Sequence, residues 1–272
     1  AELAGASGLL LETQTDLQPA GLDQNVRIVV AVSPPANLND LLSAAPQTQF
    51  AVISGVDLPQ ANNLSVIRWR PESQAFLGGF ISVLLSTDWR SGGLLPSDGP
   101  LGAGLQDAFV NGGRYFCGVC APGWPLGLTY PQAAPLPASS DGPAWQAAAA
   151  GLFDNSKVEA FYLAPEAYRS EVFDYLQGKD QFGKVLLVVG ALPPPDSLRG
   201  SWAATLSFDT LAPLRQAWPD LISGKGGSVI EAPLVLNDVN SANLGEGRLR
   251  LVKDLIEELR TGGIFPFTIP PN

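Results

Sequence analysis

The sequence predicts an α/β protein built on parallel sheets, from three observations. Short apolar runs alternate with helix-spaced segments along almost all of the 272 residues. Several of these runs are apolar at consecutive positions, the pattern of strands covered on both faces. The connections are short and draw on 29 Gly and 24 Pro, enough for many tight turns but below the share of a low-complexity chain.

Taken in order, residues 8–13 read as a first strand and 26–32, VRIVVAV, as a buried central one. Asn37 stands where it can cap a helix over 38–45. Two strands follow, 50–54 and 64–69, each ending abruptly in polar or Gly residues. A helix over 71–86 opens at Pro71-Glu72 and carries Phe76, Leu77, Phe80 and Ile81 on its apolar face. Next come a strand over 92–96 and a helix over 101–111, which Gly112-Gly113 is expected to stop. Residues 114–143 are rich in Pro, Gly and aromatics and read as a crossing with irregular loops and room for one short strand.

The pattern then resumes with a helix over 143–153, a strand over 158–164 and a helix over 167–177. The apolar strand 184–191 is ended by Pro193-Pro194-Pro195, since proline cannot continue a ladder. A strand over 202–206, a helix over 209–222, strand pairing within 227–236 and a helix over 246–260 complete the series. That last helix aligns Leu249, Val252, Leu255, Ile256 and Leu259 on one face, and the tail 264–272 reads as extended.

The net charge of −10 and the lack of any cluster of Lys and Arg argue against a nucleic-acid partner. No apolar run reaches the ~18 residues of a membrane span. The first residues show no initiator Met and no export signal, and the chain contains no Met at all, which suggests that something upstream was removed. There is no His, so Ser-His-Asp and Cys-His catalysis and the zinc hydrolase motifs are excluded. Cys117 and Cys120, in FCGVC, are too few for a structural zinc site. They read as a short-range disulfide or two reduced core thiols, with a redox pair as the remaining alternative. The Gly-rich turns lack the spacing of a phosphate-binding loop. No cofactor is expected, and no catalytic function.

The segment FAVISGVDLPQANNLSVIRWRPESQAFLGGF closely resembles the basic membrane protein family, the PnrA-like receptors of ABC importers. In that family a Phe-Ala-Ile-Ile-Asp-Gly-like strand precedes a Ser-Phe-Leu-Ala-Gly-like helix. VRIVVAVSPPANLNDLL, GGLLPSDGP, VLLVVGALPPPD, WAATLSFDTL and GKGGSVIEAPL follow in the family's order. The resemblance implies a type I periplasmic-binding-protein architecture of two Rossmann-like lobes. It assigns 1–113 to the first lobe, 114–220 to the second and 221–272 to a closing segment with a C-terminal helix. It further implies an extracytoplasmic receptor, lipid-anchored or not. Such a receptor binds a small polar or aromatic, nucleoside-like solute between hinged lobes and hands it to a membrane permease.

This sequence also departs from the family. The opening strand with its Asp-x-Ser-Phe-Asn-like turn has no counterpart among these residues. Ser54 stands where the family often has Asp, Pro165-Glu166 where it has Gly-Gly, and Phe208 where it often has Lys.

Solute contacts are expected at strand ends. In the first lobe these are Ser33, Ser54, Trp69 and Asp98, and in the second Tyr162, Glu166 and Trp202. The aromatic residues could stack on a flat ring, and the carboxylates could accept paired hydrogen bonds. Each has a plain structural alternative: core packing for Trp69 and Trp202, a turn for Asp98, and the first turn of a helix for Glu166. A sensor or structural protein that keeps the fold and binds no solute is the competing reading.

Overall fold

The computed structural model describes residues 1–180 and 186–267. In chain order the helices and strands are α1 (Glu2–Ala6), β1 (Ile28–Ala31), α2 (Leu38–Ala44), β2 (Gln49–Ser54), β3 (Leu64–Arg68), α3 (Pro71–Leu85), β4 (Ser91–Pro96), α4 (Gly104–Cys117) and β5 (Gln132–Leu136). They continue with α5 (Gly142–Ala150), β6 (Ala160–Leu163), α6 (Ser170–Asp180), β7 (Leu187–Gly190), β8 (Trp202–Phe208), α7 (Leu211–Ile222), β9 (Val229–Glu231), β10 (Leu234–Asn237) and α8 (Glu246–Thr261).

The chain forms two compact units. The first is residues 1–70 with 208–233, and the second is 71–207 with 234–272. The chain therefore passes between them at three places; the sequence reading placed its boundaries after Gly113 and Asp220.

The first unit holds a four-stranded sheet in the order β1-β2-β3-β9, parallel throughout. One face is covered by α2, with Leu38 and Leu41 against Phe50, Val52 and Val66. The other is covered by α7, with Leu214, Ala217 and Leu221 against Ala51 and Ile67. β1 is a correction to the sequence reading. Its apolar run predicts a central strand, but it lies at the sheet edge with Val30 40% exposed.

The second unit holds six strands in the order β10-β8-β7-β6-β4-β5, and β4 to β8 are parallel. β10 runs against β8, because hydrogen bonds join Asp209 to Pro233 and Asn240 to Ala203 in reversed order. Tyr162, Val189, Ala204 and Leu206 form one buried face with α3, α4 and α8, while Phe161, Leu163 and Val188 form the other with α5 and α6. The residues 227–236 divide between the sheets: β9 joins β3, and β10 joins β8.

Gly112 and Gly113 do not stop α4, which runs on to Cys117. They serve close packing instead. A Cβ on Gly112 would lie 1.8 Å from the Phe76 carbonyl oxygen, and one on Gly79 1.9 Å from that of Phe109. The α3 and α4 backbones thus touch, and α3 is buried from Ser73 to Leu85. An all-round buried helix needs no polar face, which accounts for a segment that from Ala75 to Leu85 is apolar or Gly at every position but Ser82.

Other differences are local. Residues 8–13 form no strand, and Leu10 is fully exposed. Asn37 makes no side-chain cap; its amide donates to the Leu17 carbonyl instead. Cys117 and Cys120 are joined as a disulfide. Parts of the expected strand 184–191 and tail 264–272 lie outside the described residues.

Candidate functional site

All four strands of the first unit point the same way, so their carboxyl ends share one edge, where ligands of such sheets bind. Trp69 leaves β3 at this edge, and its N–H donates to the Ser54 carbonyl at 3.0 Å. Its half-buried indole covers Gly55 so closely that a Cβ there would lie 2.8 Å from the ring. Phe208, also half-buried, meets it with ring centroids 5.3 Å apart at 48°. Charge flanks the pair: Arg70 makes two hydrogen bonds to Glu231, at 2.8 and 3.1 Å, and Arg68 pairs with Asp57. The edge therefore offers aromatic surface beside donors and acceptors. Ser33 is exposed just past β1. Ser54 is fully buried, and its hydroxyl donates to the Val56 carbonyl and accepts from the Val56 N–H, which leaves it a turn-former.

In the second unit the carboxyl edge of β4, β6 and β7 gathers a different set. Asp98 is exposed two residues past β4, and its Oδ1 accepts the Ala138 N–H at 2.7 Å, tying the loops after β4 and β5. Glu166 lies in the 3-10 turn after β6, with a buried Oε2 that has no hydrogen-bond partner among the described residues; the Nε of Arg169 is in the same condition. A carboxylate oxygen without a donor costs stability and is suited to receive one from a ligand.

Trp202, at 1% exposure, packs on Gly190. Its indole N–H donates to Thr205 Oγ1 at 3.0 Å, and the Thr205 hydroxyl donates to Asp238 Oδ2 at 2.8 Å. Tyr168 meets Trp202 edge-on at 6.2 Å, with its hydroxyl bonded to both the carbonyl and the N–H of Leu192. Tyr162 belongs to the core at 2% exposure, stacked on Phe109 at 5.8 Å. Burial drives the Tyr162 hydroxyl far above the ordinary tyrosine range, with the Glu166 charge adding to it, and burial does the same for Tyr168.

Of the seven expected residues, Ser33, Ser54 and Trp69 belong to the edge of the first unit, and Asp98, Tyr162, Glu166 and Trp202 to the second. Asp98 was expected with the first lobe. Ser54, Tyr162 and Trp202 present no free surface. Sequence reasoning noted Phe208 only as a departure from the family, and it passed over Arg68, Arg70 and Glu231, and also Tyr168, Thr205 and Asp238. The signal for Arg68 and Arg70 was there, since they flank Trp69 at a strand end. Nothing local marks Glu231 or Asp238, which reach their partners from about 160 and 33 residues away.

A cavity of about 570 Å³ opens in the first unit, lined by Asp23, Arg27, Gln47, Gln49 and Ser223 among others. It lies at the amino ends of β1 and β2, opposite Trp69. Among the described residues no three His, Cys, Asp or Glu side chains gather to hold a metal, and no helix is long and apolar enough to cross a membrane.

No protein-family model matches the chain, and no curated protein matches it. Solved structures do. A solute-binding protein of an ABC transporter system from Conexibacter woesei is 16% identical over 97% of this chain and 90% of its own, with a TM-score of 0.66. Another, from Aeropyrum pernix, is 14% identical over 90% and 78%, at 0.63. A transcriptional activator of the comK gene from Bacillus halodurans is 13% identical over 88% and 80%, at 0.60. At these identities the likeness establishes the fold: parallel α/β, like that of type I periplasmic-binding-protein-like solute-binding proteins.

Proposed function

We propose that the chain is an extracytoplasmic solute-binding receptor of an ABC importer, in the manner of the basic membrane protein family, and that it has no catalytic role. The observation that carries this reading is the half-exposed Trp69–Phe208 pair at the carboxyl edge of a parallel sheet, flanked by Arg68, Arg70 and Glu231. Such a surface suits a flat ring bearing hydroxyl or amino groups, a nucleoside being the model case. Glu166, with its unpartnered oxygen, is the residue of the second unit best suited to receive a solute donor. The Cys117–Cys120 disulfide supports an oxidising compartment. The hinge closure expected from the resemblance belongs to this reading, with a permease as the partner.

The test is a thermal-shift and intrinsic-fluorescence screen with nucleosides, sugars and amino acids. A true ligand at 100 times its Kd raises stability by about 2.7 kcal/mol. A fall in radius of gyration with that ligand would check closure. No shift with any of these classes would remove the importer reading.

A second reading, a sensor that keeps the fold and binds no solute, draws on a specific observation. The hydroxyl of Ser54 and the guanidinium groups of Arg68 and Arg70 already have partners within the chain. The fold likeness to a transcriptional activator is compatible with it.

A further inference from the structure

The cavity at the amino edge of the first unit's sheet is used neither by the core nor by the candidate site. At about 570 Å³ it falls in the size range of small-molecule sites, roughly 300–1,000 Å³. All of its lining belongs to the first unit, at the other end of the sheet from Trp69. Its walls are tied together. The Gln49 N–H donates to the Arg27 carbonyl at 2.9 Å, which sets β2 beside the start of β1. The Thr48 hydroxyl donates to the Val26 carbonyl at 2.8 Å, and the Asn63 amide reaches the carbonyls of Leu42, Ala45 and Thr48 at 3.3 to 3.4 Å.

Three polar side chains in this lining keep unused binding capacity. Gln49 is only 5% exposed, yet its Oε1 has no hydrogen-bond partner among the described residues. A buried acceptor in that condition costs stability, and a guest N–H relieves it. The terminal torsion of a glutamine amide is broad, so this oxygen can turn to meet a guest. Arg27 and Asp23 carry opposite charges, and among the described residues neither has an ion-pair partner. The Asp23 carboxylate accepts only from Asn25, from its N–H at 2.7 Å and its side-chain amide at 3.4 Å.

The sheet itself adds a further charge. Helices that cover a parallel sheet run back against its strands, so α2 and α7 both end at this edge, and Ala44 and Ile222 belong to the lining. Helix carboxyl ends carry partial negative charge and favour a cation. A simple anion would therefore face Asp23 and two helix ends, and a simple cation would face Arg27. A zwitterion suits both, since the planar guanidinium fork matches a carboxylate. Leu22, Val26, Leu221 and Ile222 add apolar surface to the same cavity.

We propose that this cavity is a second small-molecule site, which takes a free α-amino acid with an apolar side chain. Its carboxylate lies on Arg27, its ammonium donates to Asp23 and the Gln49 oxygen, and its side chain packs against Leu221 and Ile222. This stands independently of the solute reading of the opposite edge.

The experiment is calorimetric titration of the full chain with L-leucine and L-phenylalanine, and with the two halves of leucine, 4-methylpentanoate and 3-methylbutylamine. At least one amino acid should bind, and each half should bind about tenfold more weakly than leucine, or worse. Arg27→Gln and Asp23→Asn should each weaken the amino acid by about tenfold or more. Gln49→Leu removes the orphaned oxygen, so it should keep or raise the melting temperature while weakening binding, a split that a purely structural role would not give. Trp69→Ala should still bind the amino acid. Neither heat nor a thermal shift with either amino acid at millimolar concentration overturns the inference, as does 4-methylpentanoate binding as tightly as leucine. Binding lost in Trp69→Ala and kept in Arg27→Gln assigns the amino acid to the other edge and overturns it too.

Discussion

Gly112 of α4 stands backbone to backbone with Phe76 of α3, so that a methyl group on it would meet the Phe76 carbonyl oxygen at 1.8 Å. The obstacle is main chain rather than a side chain that can swing away, so the helices would have to separate. Gly112→Ala should destabilise the protein by about 3 kcal/mol or more, read as a shift in the urea midpoint. Gly151, helical in conformation and with open space around its Cα, is the control. Gly151→Ala should be neutral or stabilising by about 0.4–1 kcal/mol.

Trp69 and Gly55 form one unit, because the indole needs the bare glycine beneath it. Once a solute is found by the screen, Trp69→Ala should weaken its binding by about 1–3 kcal/mol if a flat ring stacks there. Gly55→Ala should weaken binding as well, by displacing the indole. Calorimetric titration of both variants reads the effect, and unchanged affinity in both would remove this edge from the site.

Glu166 predicts opposite effects on stability and on binding. Its buried Oε2 has no donor, so Glu166→Gln should be neutral or stabilise the empty protein by about 1 kcal/mol. The same change should reduce solute affinity if this oxygen receives a solute N–H or O–H. A melting curve and a binding curve on one sample separate the two.

Alkaline pH should unfold the protein through its tyrosines. Burial raises Tyr162 and Tyr168 above the unfolded value near 10 and brings Tyr175 up to about 12, helped by Asp154. The unfolded chain therefore loses these protons first, so the stability they confer is complete below about pH 10 and falls as pH rises from there. Each such group adds a slope of up to about 1.4 kcal/mol per pH unit. Tyr162→Phe should flatten the loss between pH 10 and 11.5 in denaturant titrations, whatever it does to stability at pH 7.

Removing the disulfide tests its local role. Closing so short a loop restricts the unfolded chain by about 2 kcal/mol in the chain-entropy picture. A Cys117→Ser/Cys120→Ser variant should lose about that much, measured by urea denaturation with and without reductant.

Much of the fold was legible because local pattern and tertiary outcome agree. FAVIS is apolar at four of five positions and LSVIR at three, and β2 and β3 are covered on both faces. The pattern misled where it was read alone. VRIVVAV has the composition of a central strand, but composition does not say which neighbours arrive, and β1 ends at an edge. Gly112-Gly113 carries a helix-stop signal that the α3 backbone overrides, since close packing there rewards the missing Cβ. Of the proposed site residues, Trp69 and Glu166 could be named from sequence because each closely follows a strand, whereas Phe208 and Glu231 come from distant segments.

The sequence by itself determined most of the secondary-structure series, the parallel α/β class and the exclusion of histidine chemistry, because these depend on periodicity and composition over a few residues. Tertiary structure alone decided that Phe208 and Glu231 reach Trp69 and Arg70, that β9 and β10 part into different sheets, and that Tyr162 is core. Those outcomes depend on which distant segments share a surface. Burial, hydrogen bonding and charge are balanced there across the whole chain, and no window of sequence contains that balance.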